Sequence, residues 1–215
     1  MRQKLKIEFV SDVACPWCAI ALIGLERALD ELADEVEADV EFQPFELNPK
    51  MPPGGKTRVE HITQKYGISA EEARSNRTRI NARATEAGFD MRLADNSRIY
   101  NTFDAHRLLG WAKVMGKQLE LKRALLALNF TENADVGNFA TLVVAASRAG
   151  LDPVDALAVL ESDAYSQQIR AEEDLWRSRG ISSVPAIVVN GHYLISGGQP
   201  AAEFKRHLRK VLAEA

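Results

Sequence analysis

The sequence predicts a mixed α/β fold interrupted by a long all-helical insertion, and three observations carry that expectation. Near the N-terminus the alternation Leu5-Lys6-Ile7-Glu8-Phe9-Val10 fits a half-buried strand and leads into Cys15-Pro16-Trp17-Cys18, after which apolar residues recur at helical spacing. Toward the C-terminus the period returns to two at Ala186-Ile187-Val188-Val189, followed by the type I′ hairpin signal Asn190-Gly191. Between about Met51 and about Ser162 the pattern is helical almost throughout.

The elements follow in order. Leu5–Val10 is the first strand, Pro16–Ala33 a helix with proline at its first position, and Val40–Phe45 the second strand. Asn48-Pro49-Lys50-Met51-Pro52-Pro53-Gly54-Gly55 is the densest cluster of structure breakers and marks a segment boundary. Thr57–Tyr66 is a short helix ended by Gly67, and Ser69-Ala70-Glu71-Glu72 is a capping box opening a helix to about Ala87, with Gly88 as its stop. Asn101 or Thr102 caps a helix through Met115, Lys117–Phe130 and Asn138–Ala149 follow, and Asp152-Pro153 starts another. A further helix precedes the hairpin Ala186–Val189 and His192–Ile195, and Gly197-Gly198-Gln199-Pro200 leads into a last helix, Ala201–Leu212. Without the helical block the order is βαβ followed by αββα, a thioredoxin-like arrangement. Residues 1–50 and 163–215 then form one discontinuous domain, and 51–162 the insertion.

Composition narrows the partners. Hydrophobic residues make up 46% and charged residues 27%, which is ordinary globular usage. The net charge of −3 is spread without any block of five like charges, so nucleic acid and anionic membrane are poor partners. No apolar run approaches the roughly 18 residues that span a bilayer. The basic start Met1-Arg2-Gln3-Lys4 precedes a stretch broken by Lys6, Glu8 and Asp12, with no small-residue cleavage site. That stretch reads as the first strand of the fold and not as a secretory signal. The expectation is a cytoplasmic setting, where a dithiol is kept reduced or cycling. The oligomeric state is not legible in the sequence.

Cys15 and Cys18 are the only cysteines. At a strand-to-helix junction the first sulfur meets free backbone N–H groups and the helix dipole, both of which favour an anion. This lowers a thiol pKa from its usual value of about 8.5 and makes a nucleophile at neutral pH. Zinc is improbable: it needs four ligands, and His61, His106, His192 and His207 are scattered with no paired spacing. A structural disulfide closing so small a loop removes little unfolded-state entropy. Redox chemistry is the leading reading. Val184-Pro185, directly before a strand, supplies the facing loop, and its place predicts a cis peptide that leaves the Val184 backbone free to pair with a substrate beside Cys15.

Several separated motifs now add up. Ser11-Asp12 before the Cys15–Cys18 motif, Phe45-Glu46-Leu47-Asn48-Pro49, Asn101-Thr102-Phe103-Asp104-Ala105-His106-Arg107-Leu108, Phe130-Thr131-Glu132-Asn133, Val184-Pro185-Ala186 and Gly197-Gly198-Gln199-Pro200 occur in that order. With them the chain resembles the DsbA-like thioredoxin-fold oxidoreductases over nearly its whole length, most of all the cytoplasmic FrnE branch. The resemblance implies disulfide oxidoreductase activity with a helical insertion as a lid over the site. Some relatives have glycine soon after the second cysteine where this chain has Ala19-Ile20-Ala21. The second, C-terminal cysteine pair of some relatives is absent, which excludes a dithiol relay within one chain.

Cys15 is assigned as the nucleophile and Cys18 as the resolving thiol. Pro16 and Trp17 shape the site and carry no charge, so the Cys15 pKa is expected above that of strongly oxidising relatives with histidine between the cysteines. Glu8 and Asp12 are candidate proton acceptors for Cys18. The plainer reading, a solvent-facing strand residue for Glu8 and a loop or capping residue for Asp12, is favoured. His106 is a candidate for the substrate groove, with a structural role the plainer reading, and Trp111 and Trp176 read as core. No cofactor is expected beyond the redox-active disulfide, with glutathione a candidate redox partner and substrate thiols or disulfides, protein or small molecule, as partners. Two other readings stand beside this one. The first is a glutathione-dependent isomerase or transferase of the hydroxychromene-carboxylate isomerase and kappa-class type, which typically has serine at the Cys15 position. The second is a peptide-binding chaperone.

Overall fold

In the computed structural model, which describes residues 2–214, the chain runs β1 (Gln3–Ser11), α1 (Pro16–Glu31), β2 (Val36–Pro44), β3 (Lys56–Thr57), α2 (Arg58–Tyr66), α3 (Ala70–Ala87) and β4 (Arg98–Ile99). It continues α4 (Phe103–Val114), α5 (Gln118–Phe130), α6 (Phe139–Arg148), α7 (Pro153–Glu161), α8 (Ser166–Ser178), β5 (Ala186–Val189), β6 (Tyr193–Ser196) and α9 (Ala201–Glu214). This is the α/β, thioredoxin-like fold with helical insertion that the element order predicts.

The main sheet has the order β2-β1-β5-β6. β1 is central, parallel to β2 and antiparallel to β5, and β5 and β6 form the hairpin. Asn190 and Gly191 both take positive φ, 51° and 77°, as a type I′ turn requires. One face of β1 presents Leu5, Ile7 and Phe9 to Leu22 and Leu25 of α1 and to Phe204 and Leu208 of α9. The other presents Val10, which packs with Val188 and with Trp176 of α8. Alternation along β1 therefore assigns each residue to one helical layer or the other.

The insertion forms its own apolar cluster, in which Leu108, Leu121, Leu142 and Leu160 join α4 to α7. It also shares the sheet's core: Ala84 of α3, Met91, Leu93, and Leu126 and Phe130 of α5 are buried with the α1 layer. The capping box of α3 is complete, with the Ser69 side chain accepting from Glu72 N and the Glu72 carboxylate accepting from Ser69 N at 2.8 Å.

Two details differ from expectation, and one is decided between its two candidates. β2 starts at Val36 instead of Val40, because parallel pairing with β1 from Gln3 onward overrides the poor strand propensity of Glu37, Ala38 and Asp39. Of the two cap candidates for α4, Thr102 holds the N-cap position but its hydroxyl donates to Asp12 at 2.8 Å, while Asn101 Oδ1 accepts from Phe103 N at 2.9 Å. The small β3–β4 ladder was not expected, since two-residue strands carry no periodicity.

Candidate active site

Cys15 is the N-cap of α1, in extended conformation with φ −92° and ψ 111°, and Pro16 is the first helical residue. The turn leading to it is held by Asp12, whose carboxylate accepts from Ala14 N at 3.1 Å and whose carbonyl accepts from Cys15 N at 3.2 Å. Both cysteines are free thiols and both are buried. The Cys15 thiol donates to the carbonyl of Val184 at 3.6 Å, and the Val184–Pro185 peptide is cis.

The two sulfurs are electrostatically unequal. A hydrogen bond from the Cys18 thiol, with help from the Cys18 and Trp17 N–H groups, outweighs burial and the Asp12 carboxylate and holds Cys15 below the ordinary thiol pKa. Burial, and then Cys15 itself, pushes Cys18 well above that value, while Lys122 pulls it back down. Such a pair suits an attacking thiolate beside a thiol that waits.

The candidate proton acceptors do not behave alike. Glu8 lies on β1 opposite Val188, on the face toward α8 and away from the α1 layer, so the fold does not bring it to Cys18. Asp12 is fully buried, and its carboxylate also accepts from Leu47 N at 2.7 Å and from the Thr102 hydroxyl at 2.8 Å. Burial raises its pKa, but His106 and these N–H donors more than offset that, and the net direction is down. A carboxylate so well satisfied as an anion is a poor acceptor, and the capping reading is the one the geometry supports. His106 is buried behind Asp12, Nε2 3.5 Å from Oδ1, and lines a void of about 10 Å³ next to Lys122. It does not line the cavity over Cys15, and the structural role, the plainer of its two readings, is the one this placement supports.

Cys15 faces a cavity of about 470 Å³ between the Cys15–Cys18 motif and α2 and α3. Cys15, Pro16, Trp17 and Val184 line it, whereas Pro185 is buried behind. Trp17 is seated by Gly198, where a Cβ would come within 2.9 Å of Trp17 Cε3. The wall formed by α2 is tied to the Leu47–Asn48 loop: Lys65 Nζ donates to Leu47 O at 3.0 Å, and His61 Nε2 lies 2.9 Å from Asn48 Oδ1. Glu46 anchors that loop from behind, pairing with Arg170 and donating its N–H to Glu173 at 2.8 Å.

Two buried cations were missed in the sequence. Lys122 of α5 is 1% exposed, and its Nζ has no hydrogen-bond partner. The signal was there, since Lys122 shares a helical stripe with Leu119, Leu126 and Phe130. Arg58, at the first position of α2, is 8% exposed and lines the cavity. A cation at a helix N-terminus opposes the dipole, and that is the local signal. Among the described residues no group of three or more His, Cys, Asp or Glu is arranged to hold a metal ion, and no helix is long and apolar enough to cross a membrane.

Known proteins share this arrangement. A probable DsbA oxidoreductase from Streptomyces coelicolor superposes with a TM-score of 0.91 at 34% identity, covering 98% of this chain and 91% of that one. The Bacillus subtilis protein YwbO is 24% identical over 93% of this chain and 94% of its own. The cytosolic disulfide reductase DsbM from Pseudomonas aeruginosa, solved with GSH, is 13% identical with a TM-score of 0.65 over 97% of this chain and 99% of that one, a likeness of fold alone. The family model described as the DSBA-like thioredoxin domain matches residues 6–209. With paired thiols at the start of α1, a facing Val184–Pro185 loop and a family match across nearly its whole length, the chain belongs to the DSBA-like thioredoxin domain family.

Proposed function

We propose that the protein is a thiol–disulfide oxidoreductase cycling Cys15 and Cys18 between dithiol and disulfide. The carrying observation is the inequality of the two sulfurs at one helix terminus, Cys15 lowered and Cys18 raised. In the reducing direction the Cys15 thiolate attacks a substrate disulfide, its S–S bond breaks, and one half leaves as a thiolate. Cys18 then gives up its proton and attacks the Cys15 sulfur. The Cys15–Cys18 bond forms, the second half leaves as a thiolate, and two electrons have passed from the pair to the substrate. In the oxidising direction the same steps run backward. Lys122, buried near Cys18, pulls the Cys18 pKa down and so lowers the cost of the buried thiolate that resolution requires, although burial lowers its own pKa.

Glutathione is the proposed redox partner, and a cytoplasmic setting belongs to the same reading. The FrnE-like branch is the part of the family this reading favours. Serine-based glutathione activation is disfavoured by the presence of Cys15 together with Cys18, and a chaperone role predicts that Cys15→Ser keeps full activity. Turnover of a disulfide substrate by wild type, Cys15→Ser and Cys18→Ser tests the reading. Loss in Cys15→Ser and a trapped mixed disulfide on Cys15 in Cys18→Ser are expected. Full turnover by Cys15→Ser would overturn it.

A further inference from the structure

The cavity over Cys15 has a chemical signature of its own. Its walls are largely apolar, with Ile62, Ile80, Leu93 and Ile99 facing Trp17 across it. No Asp or Glu lines it among the described residues, whereas Arg58, Lys65, Arg77 and Arg79 do. Three of these cations already have hydrogen-bond or ion-pair partners. Lys65 donates to Leu47 O and to Asn48 Oδ1, Arg77 pairs with Asp95, and Arg79 donates to Asn76.

Arg58 is different. Its Nε is buried without a hydrogen-bond partner, and its guanidinium carbon lies 5.7 Å from the centroid of the Phe130 ring. Burial lowers its pKa to about 10, with Cys15 near enough to pull it back up, so the group is cationic at neutral pH. A buried and uncompensated guanidinium costs free energy, and so does a cation at the first position of a helix. Both costs are relieved by an anion in the cavity, and a carboxylate matches the guanidinium fork. The volume, about 470 Å³, is that of a small-molecule site.

We propose that this cavity binds a low-molecular-weight disulfide or thiol with an apolar body and a carboxylate group, the carboxylate held by Arg58 and the sulfur presented to Cys15. The proposal rests on the redox role given above to Cys15 and Cys18 and names the substrate class of that site. The chemistry is that exchange: Cys15 bonds one half of the bound disulfide, the other half leaves as a thiolate, and Cys18 completes the two-electron transfer with release of the first half.

Two aromatic disulfides, compared as the change in their rate ratio from wild type to variant, separate the possibilities. 5,5′-Dithiobis(2-nitrobenzoate) carries a carboxylate on each ring, and 4,4′-dithiodipyridine carries none. Each is mixed with the fully reduced protein, and the released chromophoric thiol is followed by stopped flow, with the site of oxidation read by mass spectrometry. In Arg58→Met the ratio of the carboxylate rate to the neutral rate is expected to fall about tenfold, the scale of one lost charge-assisted hydrogen bond. Arg58→Lys keeps the charge without the fork and is expected to restore part of that ratio, which also guards against a folding defect in Arg58→Met. Equal losses with both probes in Arg58→Met would overturn the proposal, because Arg58 would then be acting on the Cys15 thiolate itself. An unchanged ratio would overturn it as well. If neither probe oxidises the Cys15–Cys18 pair in the wild type, the redox reading itself falls and takes this proposal with it.

Discussion

The Cys15 thiol points at the carbonyl oxygen of Val184, 3.6 Å away, although the two residues are 169 positions apart in the chain. That contact joins the start of α1 to the loop before β5 and sets the reacting sulfur against an open stretch of backbone. Everything the site can do depends on how the remaining groups divide charge between Cys15 and Cys18.

The first consequence concerns Cys15. The Cys18 thiol is the largest influence holding its pKa down. Cys18→Ala removes that donor, so the Cys15 thiolate is expected to appear at higher pH than in the reduced wild type. Thiolate ultraviolet absorbance against pH reads the midpoint directly, and a midpoint that stays put or moves down would show that the helix terminus alone sets it.

Lys122 couples rate to stability. Removing its charge takes away a group that lowers the Cys18 pKa, so Cys18 rises further and resolution slows. Lys122→Met is expected to lengthen the life of the mixed disulfide on Cys15, by about tenfold for each unit of added Cys18 pKa. The same change removes a buried nitrogen that has no partner. Thermodynamic stability is therefore expected to rise by about 1 kcal/mol while turnover falls. Quenched-flow trapping and urea denaturation measure the two effects in one variant.

Asp12 sets a pH dependence whose sign follows from its direction of shift. Its folded-state pKa is lowered, so the unfolded chain takes up the proton first. Its contribution is complete above the ordinary carboxylate pKa of about 3.9 and is lost as pH falls through the lower folded value. Asp12→Asn places an amide NH₂ among three donors, Ala14 N, Leu47 N and the Thr102 hydroxyl. A loss of about 2–4 kcal/mol is expected at neutral pH, and the gap from wild type should narrow on acidification. Glu46, which burial pushes up, acts in the opposite sense, so only the difference between the two proteins isolates Asp12.

Gly198 tests the seat of Trp17. An added Cβ would meet Trp17 Cε3 at 2.9 Å and Trp17 O at 3.2 Å. Gly198→Ala is expected to cost about 1–3 kcal/mol and to slow reaction at Cys15 by displacing the cavity wall. Denaturation and the rate of thiol exchange read the two effects.

Much of this is legible in the sequence. The thioredoxin-like order follows from period changes and breakers, and the Ser69 box, Gly88, Asp152-Pro153 and Asn190-Gly191 mark their boundaries by local chemistry that tertiary context does not override. Cys15, Cys18 and Val184-Pro185 were found because spacing and position suffice for them. Glu8 stands where the plainer reading puts it, on β1 away from Cys18, but its side of the sheet depends on which helix packs where, and neither periodicity nor spacing reports that. For His106 and Asp12 the plainer readings are favoured in the sequence, but their partners lie 94 and 35 residues away, Asp12 for His106 and Leu47 for Asp12, beyond what spacing reports. Arg58 and Lys122 each break a local rule, a cation at a helix N-terminus and a lysine in an apolar stripe, and those breaks are the signals the sequence offers for them.

The most direct measurement is a redox titration of the protein in glutathione buffers, with the free thiols alkylated and the products resolved by mass. A reversible, two-electron conversion between the reduced protein and a form lighter by two hydrogens, with Cys15 the residue alkylated first in the reduced state, is the expected result. Failure to form the Cys15–Cys18 disulfide in any buffer, or preferential alkylation of Cys18, would contradict the assignment of an attacking Cys15 and a resolving Cys18.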